Sequence, residues 1–353
     1  MTPPIPAQNP PCCTDPMKYA APVWLPGGHA QTIWSALYAK KRSRTALPLQ
    51  RTRWNAPDGD FVDVDHQNAS CGSRPMLVLF HGLEGSSASH YAQAFADWSA
   101  EQDIHLAMPH FRGCSGQINL APRAYHSGDH AEIDWVLKRL KQEHQQRGGS
   151  VLLAAGVSLG GNALMRWAAE HGHQASQSAQ AIAAICSPLD LALSGAAIGK
   201  GLNRYLYTPM FLKSMKPKAL AKWEQFPGLF DKKAMLNASD LYAFDNAFTA
   251  PLHGFKDTPD YWARASAKPL MRDIRLPALA LNACNDPFVP AQSLPQKCDV
   301  SSSVTLWQPQ HGGHVGFSSG AWPGHVLHMP EAVGRWLMAA AGQPIVGIKQ
   351  RED

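Results

Sequence analysis

Six short runs of apolar residues recur along the chain, and amphipathic segments separate most of them. The runs cover residues 75–80, 104–110, 151–157, 181–186, 276–284 and 303–308. Helical periodicity over residues 91–101 and 129–143 fills two of the gaps. Continuous apolar strands that alternate with amphipathic helices are typical of a mostly parallel sheet covered on both faces. The pattern therefore predicts an α/β fold.

Two further features break this alternation. Residues 51–67 alternate apolar and polar side chains on both sides of Pro57, Asp58 and Gly59, which predicts an N-terminal antiparallel hairpin. The long segment between residues 186 and 276 has helical patterns but no strand pattern, and segments of that length rarely lack structure in a compact domain. We therefore predict a helical cap over residues 188–265, inserted into an α/β core formed by residues 21–187 and 266–345. Residues 1–20 are predicted to be a mobile tail.

The predicted cap is basic, because its lysine and arginine residues outnumber its acidic residues between positions 188 and 250. We interpret it as a solvated helical lid. The alternative is a lid whose apolar side admits an acyl chain, while its basic side makes weak contact with an anionic head group or a membrane surface.

The composition argues against three classes of protein: disordered chains, coiled coils and nucleic-acid-binding proteins. With 45% hydrophobic and 17% charged residues among 353, the chain has the material for a large core and is neither disordered nor a coiled coil. The net charge of +5 comes without the dense basic block of nucleic-acid-binding proteins, so no nucleic-acid partner is expected.

The seven cysteines are odd in number, scattered and without CxxC spacing, which predicts neither a disulfide framework nor a zinc site. The first sixteen residues are rich in proline and lack the apolar centre of a signal peptide. No apolar run approaches the ~18 residues that a membrane span requires. We expect a soluble, cytoplasmic protein that needs no metal and no cofactor.

The sequence Gly-Val-Ser-Leu-Gly at residues 156–160 lies between a predicted strand and a predicted helix. An abrupt strand-to-helix turn strains the backbone of Ser158, and Gly156 and Gly160 leave room for the chain to pass. The turn exposes the Ser158 hydroxyl and places the Leu159 N–H at a helix N-terminus, where it can stabilise an oxyanion. This context indicates a nucleophilic serine.

A nucleophilic serine requires a histidine as base and a carboxylate that orients it, in the chain order Ser, acid, His for this arrangement. Asp286 and His314 each follow a predicted strand, so both fall at the carboxyl edge of the sheet. Asp190 is a second candidate acid, although a helix cap explains it better, and His311 is a second candidate base. The two histidines lack a third ligand at metal-binding spacing.

The loop after the strand at residues 75–80 is the expected source of a second oxyanion donor. Gly82 lets the backbone curl, so that the Leu83 N–H can face the serine. We expect His81 to bond loop carbonyls and Glu84 to be a surface carboxylate near the site.

Seven stretches in a fixed order make the chain resemble the YheT-like branch of the α/β-hydrolase superfamily. They are WLPGGHAQTIW, HGLEGSS, RGCSG, YHSGD, GVSLGGN, NACNDPF and HGGHVGF. The resemblance implies an α/β-hydrolase fold with Ser158 as nucleophile, Asp286 as acid and His314 as base. The family often has two acids before Pro-Phe, whereas this chain has Asn285 before Asp286. The stretch at residues 125–128 also matches the family, and we interpret it as packing.

Three functions fit this set of residues. The first is hydrolysis of carboxylic esters through an acyl-enzyme on Ser158, acting on short- to medium-chain or lipid-like esters, a substrate class that rests on the resemblance. The second is transfer of the acyl group to an alcohol, as in the ethanol acyltransferases that the family includes beside lipid esterases. The third is a non-catalytic binding scaffold. No histidine is followed by an aspartate five positions later, a motif of other acyltransferases, so hydrolysis is the expected activity.

Overall fold

A single sheet of eight strands organises the computed structural model, which describes residues 19–39 and 48–345. The strands are β1 (Gln50–Asn55), β2 (Phe61–Gln67), β3 (Met76–Phe80), β4 (His105–Pro109), β5 (Leu152–Val157), β6 (Ala181–Ile185), β7 (Ala278–Leu281) and β8 (Val304–Trp307). Their order across the sheet is β1-β2-β4-β3-β5-β6-β7-β8. Strands β1 and β2 pair antiparallel, as do β2 and β4, and the other neighbours are parallel. The predicted α/β-hydrolase fold, with its N-terminal antiparallel hairpin, is confirmed.

Helices cover both faces of the sheet. They are α1 (Gly28–Leu37), α2 (His90–Glu101), α3 (His130–Gln146), α4 (Leu159–His171), α5 (Leu191–Ile198), α6 (Gly201–Leu206), α7 (Thr208–Gln225), α8 (Lys232–Asn237), α9 (Leu241–Phe244), α10 (Ala250–Leu252), α11 (Thr258–Ala265) and α12 (His328–Ala340). Each of the six predicted apolar runs contains one strand, and the two predicted amphipathic segments correspond to α2 and α3.

Alternate residues of the central strands enter two separate cores, one on each face. Val78 and Ala154 join the core formed with α3 and α4, which includes Trp167. Leu77 and Leu153 join the core formed with α2 and α12. Because both faces are buried, the central strands are apolar throughout, which is why they appear as continuous runs in the sequence.

The residues between β6 and β7 form helices α5 to α11. Four of these helices begin at an aspartate whose carboxylate accepts a backbone N–H of the first turn: Asp190, Asp231, Asp240 and Asp257. Several helices enclose an apolar cluster of their own, which includes Leu212, Phe230 and Phe244. The boundaries of the cap at residues 188 and 265 stay a prediction.

Most of the predicted N-terminal tail, residues 1–18, lies outside the described residues. The Tyr19 hydroxyl donates to the Ser318 carbonyl at 2.9 Å, and its ring contacts Phe317 edge-on. Over the described ranges, none of the helices has both the length and the apolar character needed to cross a membrane.

Candidate active site

Ser158 lies at the sharp turn from β5 into α4, with a φ of +53° and a ψ of −120°. A side chain on Gly156 would place its Cβ 2.5 Å from the Gly160 backbone, and one on Gly160 would place it 2.5 Å from the His81 carbonyl oxygen. Such approaches are sterically forbidden, so glycine is required at both positions. The Ser158 N–H donates to the Ile185 carbonyl at 2.8 Å and continues the ladder between β5 and β6. The serine backbone is therefore held in its strained conformation.

His314 lies between Ser158 and Asp286. Its Nδ1 is 2.8 Å from Asp286 Oδ2, and its Nε2 is 3.1 Å from Ser158 Oγ. Because an ionised carboxylate can only accept, Nδ1 carries the hydrogen and Nε2 is left to accept the serine hydroxyl. The other carboxylate oxygen, Oδ1, accepts the N–H groups of Phe288 and Val289, which fixes the carboxylate plane. The structure thus brings together the three residues that the sequence singled out.

Helix α1 holds the loop that carries His314, a contact that the sequence analysis missed. The Gly312 N–H donates to Gln31 Oε1 at 2.9 Å, and the His314 N–H donates to Thr32 Oγ1 at 2.8 Å. Between them, the Gly313 N–H donates to Asn285 Oδ1 at 3.0 Å. Three consecutive amides of the loop are therefore each held by a side chain.

These side chains are also fixed themselves. Gln31 Oε1 accepts from Asn285 Nδ2 at 3.0 Å, and the Thr32 hydroxyl donates to the Gly28 carbonyl at 2.7 Å. A Cβ on Gly28 would overlap the Asn285 carbonyl oxygen, so only glycine lets α1 approach this closely. Asn285, which differs from the acid often found in the family, thus links α1 to the histidine loop. The glycine-rich stretches around Gly28 and Gly313 were the signal in the sequence that could have indicated this close approach.

The two expected oxyanion donors flank the serine. Leu159 is the first residue of α4, and Leu83 follows Gly82, on which a Cβ would lie 3.1 Å from Ser158 Cβ. Leu83 and Leu159 line the same cavity as Ser158 and His314. The N–H of Gly82 donates to the Tyr91 hydroxyl at 2.9 Å, which fixes the loop before Leu83.

Glu84 is not the surface carboxylate that we expected, because its side chain is almost fully buried. Its N–H donates to the Tyr125 hydroxyl, which in turn donates to Glu84 Oε1 at 2.8 Å. Glu84 Oε2 lies 2.9 Å from Lys218 Nζ on α7, so the ion pair joins the loop after β3 to that helix. Tyr125 thereby fixes the backbone next to Leu83. The neighbouring Ser127 is held by hydrogen bonds, because its N–H donates to the Tyr261 hydroxyl and its carbonyl accepts from Asn162 Nδ2.

The alternative candidates for the acid and the base, and His81 in the loop after β3, have other surroundings in the structure. Asp190 caps α5 by accepting the Leu193 N–H at 3.1 Å, and His311 is exposed. His81 donates from Nδ1 to the Gly82 carbonyl at 2.7 Å and accepts the Phe111 N–H at Nε2. Burial lowers the pKa of His81 to about 3, so this ring is neutral and bonds the loop as expected.

Strained backbone is concentrated around Ser158. Among the described residues with a side chain, φ is positive at Glu84, Ser158, Cys186, Val315 and Phe317, besides Asp103. The first three follow β3, β5 and β6, and the next two lie in the loop that carries His314. Strain of this kind persists only where the surroundings hold it, and it concentrates at functional sites.

Cys186 places its sulfur close enough to Asp286 and His314 to form a group of potential metal ligands. Both ring nitrogens of His314 already face Asp286 and Ser158, and the thiol accepts the Val315 N–H at 3.2 Å. Burial beside Asp286 raises the pKa of the Cys186 thiol well above its usual value, and a protonated thiol does not ligate metals. The donor set therefore does not fit a metal ion.

Two cavities meet at Ser158 and His314. The inner cavity extends between the sheet and the helices that follow β6, and its lining is mainly apolar, with Ile198, Met215, Leu241, Phe244 and Phe248 among its residues. The outer cavity opens between α1 and the start of α7, and Leu37 and Met210 lie on its wall. A molecule held at Ser158 can therefore extend in two directions.

A nucleophile elbow beside a His–Asp pair at the carboxyl edge of a mainly parallel sheet defines a class of hydrolases. A family profile described as alpha/beta hydrolase fold matches residues 75–321, well over half of the chain. The chain belongs to the α/β-hydrolase family, as its sequence motifs predicted.

Two relatives and one solved structure show in more detail what the chain is similar to. YheT of Escherichia coli strain K12, which carries an esterase name, is 33% identical over 313 residues, 88% of this chain and 89% of the relative. Human phospholipase ABHD3 is 24% identical over 335 residues, 91% of this chain and 78% of the relative. The Pyrococcus furiosus esterase Pf2001 superposes with a TM-score of 0.54 at 15% identity, covering 84% of this chain and 92% of the other, a likeness of fold.

Proposed function

We propose that the protein is a serine carboxylesterase in which Ser158 is the nucleophile, His314 the base and Asp286 the acid. The observation that carries the proposal is the continuous path from Asp286 Oδ2 through the imidazole to Ser158 Oγ, with distances of 2.8 and 3.1 Å. The 3.1 Å distance lies within the range for proton transfer between a nucleophile and its base, and the 2.8 Å hydrogen bond lets Asp286 orient the imidazole.

In the first half of the reaction, Ser158 Oγ attacks the carbonyl carbon of the ester while His314 Nε2 takes the hydroxyl proton. The negative charge on the carbonyl oxygen is stabilised by the N–H groups of Leu83 and Leu159. The C–O bond to the alcohol then breaks, and the alcohol leaves with the proton from His314. In the second half, water attacks the acyl carbon while His314 Nε2 takes a proton from it; the bond from that carbon to Ser158 Oγ then breaks, the proton passes to Ser158, and a carboxylic acid is released.

The two cavities support separate binding positions for the acyl chain and the alcohol portion of the substrate. We assign the acyl chain to the inner cavity, whose apolar lining favours the transfer of methylene groups out of water by ~0.8 kcal/mol each. The alcohol portion is assigned to the outer cavity, through which it can leave. The esterase and phospholipase names of the relatives support esters, including lipid-like esters, as the substrate class, whereas the short- to medium-chain length rests on the sequence resemblance.

Labelling with a fluorophosphonate probe tests the activated serine without knowledge of the natural substrate. We expect the native protein to be labelled and Ser158→Ala to be unlabelled, with turnover of p-nitrophenyl butyrate lower by at least about four orders of magnitude. Ser194→Ala is the matched control, because Ser194 lines the same cavity but does not contact His314. Equal labelling of the native protein and Ser158→Ala would contradict the assignment, and an unreactive native protein would support a non-catalytic scaffold.

Acyl transfer to an alcohol is the second candidate. It requires the same acyl-enzyme and differs only in the second nucleophile, which would enter through the outer cavity. Product analysis with an ester donor in the presence of an alcohol decides between the two reactions. Hydrolysis predicts the free acid as the main product at all alcohol concentrations, whereas transfer predicts a new ester.

A further inference from the structure

One face of α6 and the first turns of α7 is apolar and exposed. Leu202, Tyr205 and Leu206 have relative exposures between 42% and 77%. Pro209 and Met210 continue this face at helical spacing, and both are also exposed. We call these five residues the α6–α7 face.

The opposite side of the same helices is fixed to the body of the protein. Asn203 donates to the Pro287 carbonyl at 2.6 Å, and the Thr208 hydroxyl donates to the Ile198 carbonyl at 3.0 Å. The Tyr207 hydroxyl is hydrogen-bonded to His29 Nδ1 at 3.0 Å, and its ring packs edge-on against Phe288. The α6–α7 face is thus presented outward on a rigid support, since the helices cannot rotate to bury it.

The surroundings of this face are positively charged. Residues 191–223 contain no aspartate or glutamate but six lysine and arginine residues. Lys218 and Lys222 turn inward, where the first pairs with Glu84 and the second donates to the Asn119 and Ala121 carbonyls. Lys200, Arg204 and Lys213 are exposed, and each lies within three positions along the chain of an apolar residue of this face. An apolar stripe bordered by cations is complementary to an anionic lipid surface.

The α6–α7 face is continuous with the mouth of the outer cavity. Met210 belongs both to this face and to the wall of that cavity, and Leu37, exposed at the end of α1, lies on the same wall. We propose that the α6–α7 face docks the protein on an anionic lipid surface, so that an ester passes from the lipid into the outer cavity and reaches Ser158. The part of this inference that concerns the ester rests on the proposed esterase function, whereas the docking itself does not.

Co-sedimentation of the full chain with vesicles tests the docking. We compare vesicles of phosphatidylcholine alone with vesicles of phosphatidylcholine and phosphatidylglycerol in equal parts. We expect the native protein to bind the anionic vesicles, and the triple variant Leu202→Ser, Tyr205→Ser, Leu206→Ser to partition about tenfold more weakly, because binding scales with the apolar area that is buried. Met210 is left intact because it lines the cavity.

The matched control replaces two leucines and one tyrosine of similar exposure, between 41% and 58%, that do not line either cavity. It is the triple variant Leu120→Ser, Leu236→Ser, Tyr242→Ser, and we expect it to bind anionic vesicles like the native protein. A separate variant, with Lys200, Arg204 and Lys213 changed to glutamine, is expected to lose the preference for anionic over neutral vesicles.

Turnover of soluble p-nitrophenyl acetate without vesicles separates docking from catalysis. We expect all three variants to retain it. The docking proposal is overturned if the native protein does not bind vesicles, or if the α6–α7 triple variant binds them equally well. It is also overturned if that variant alone changes the oligomeric state, which would assign the face to self-association. A protein that binds vesicles but hydrolyses no ester keeps the docking proposal and refutes the esterase proposal.

Discussion

Replacing Thr32 by valine removes one hydroxyl from α1 and tests whether that helix positions His314. Valine preserves the shape of the side chain but leaves the His314 N–H without the acceptor that lies 2.8 Å away. A buried N–H without a partner costs about 1–3 kcal/mol, and the loop can recover this energy only by moving toward another acceptor. Since His314 Nε2 is 3.1 Å from Ser158 Oγ, such a movement also separates the base from the nucleophile.

A displacement of about 1 Å at a reacting group lowers the rate by about 100-fold. We therefore expect Thr32→Val to lower kcat for p-nitrophenyl butyrate by about 10- to 100-fold, with KM nearly unchanged because neither cavity loses an apolar wall. The rate of fluorophosphonate labelling is expected to fall in parallel. Thr32→Ser, which keeps the hydroxyl, is expected to restore both rates.

The control is Thr258→Val, which removes another buried hydroxyl, one that donates to the Tyr242 carbonyl at 2.8 Å and contacts neither cavity. We expect it to lower the melting temperature without lowering kcat. Positioning of the base by α1 is refuted if Thr32→Val retains native kcat, or if Thr258→Val loses as much activity at a similar loss of stability.

Three other predictions concern the acid, the stability at low pH and the acyl cavity. Asp286→Asn is expected to lower kcat by about 10⁴-fold, whereas Asp190→Asn keeps native activity because asparagine also caps a helix; equal losses in steady-state assays would contradict the assignment of the acid. Burial lowers the pKa of His144 from 6.5 to about 4, so the unfolded chain binds more protons between these pH values, and native stability falls as the pH drops. We therefore expect the melting temperature of His144→Gln to fall less steeply with decreasing pH than that of the native protein. Equal slopes for the two proteins would refute this role of His144. Ile198→Trp fills part of the inner cavity and is expected to lower kcat/KM for p-nitrophenyl octanoate about tenfold relative to the acetate; an equal effect on both esters would place the acyl chain elsewhere.

The sequence predicts the sheet and the nucleophile elbow well because both depend on local patterns. A strand buried on both faces needs a continuous apolar run, and an abrupt turn into a helix needs glycine at positions 156 and 160. Asp286 and His314 could be placed near Ser158 because the carboxyl ends of parallel strands share one edge of the sheet. These expectations require no knowledge of distant contacts.

The contacts that fix the active-site loops could not be predicted in this way, because they depend on the surrounding structure and not on local sequence patterns. Gln31 bonds the Gly312 amide across 281 positions of sequence, and no periodicity records such a pairing. Glu84 looks like a surface carboxylate in the sequence, because its partner Lys218 is supplied by a helix that follows β6. The positive φ values of Cys186 and Val315 likewise arise from the surrounding structure, since neither residue favours that conformation.

The position of Ser158 between two cavities bears on the choice between hydrolysis and acyl transfer. If the acyl chain occupies the inner cavity, the second nucleophile has to approach the acyl-enzyme through the outer cavity, whatever that nucleophile is. Water needs no binding site of its own, whereas an alcohol competes only if side chains there hold it beside His314. The wall of the outer cavity is apolar at Leu37 and Met210, but Tyr207, Thr32 and His90 also line this cavity and carry side-chain hydrogen-bonding groups. The balance between hydrolysis and acyl transfer therefore depends on how well these side chains hold an alcohol against water, because Ser158, His314 and Asp286 would serve both reactions equally.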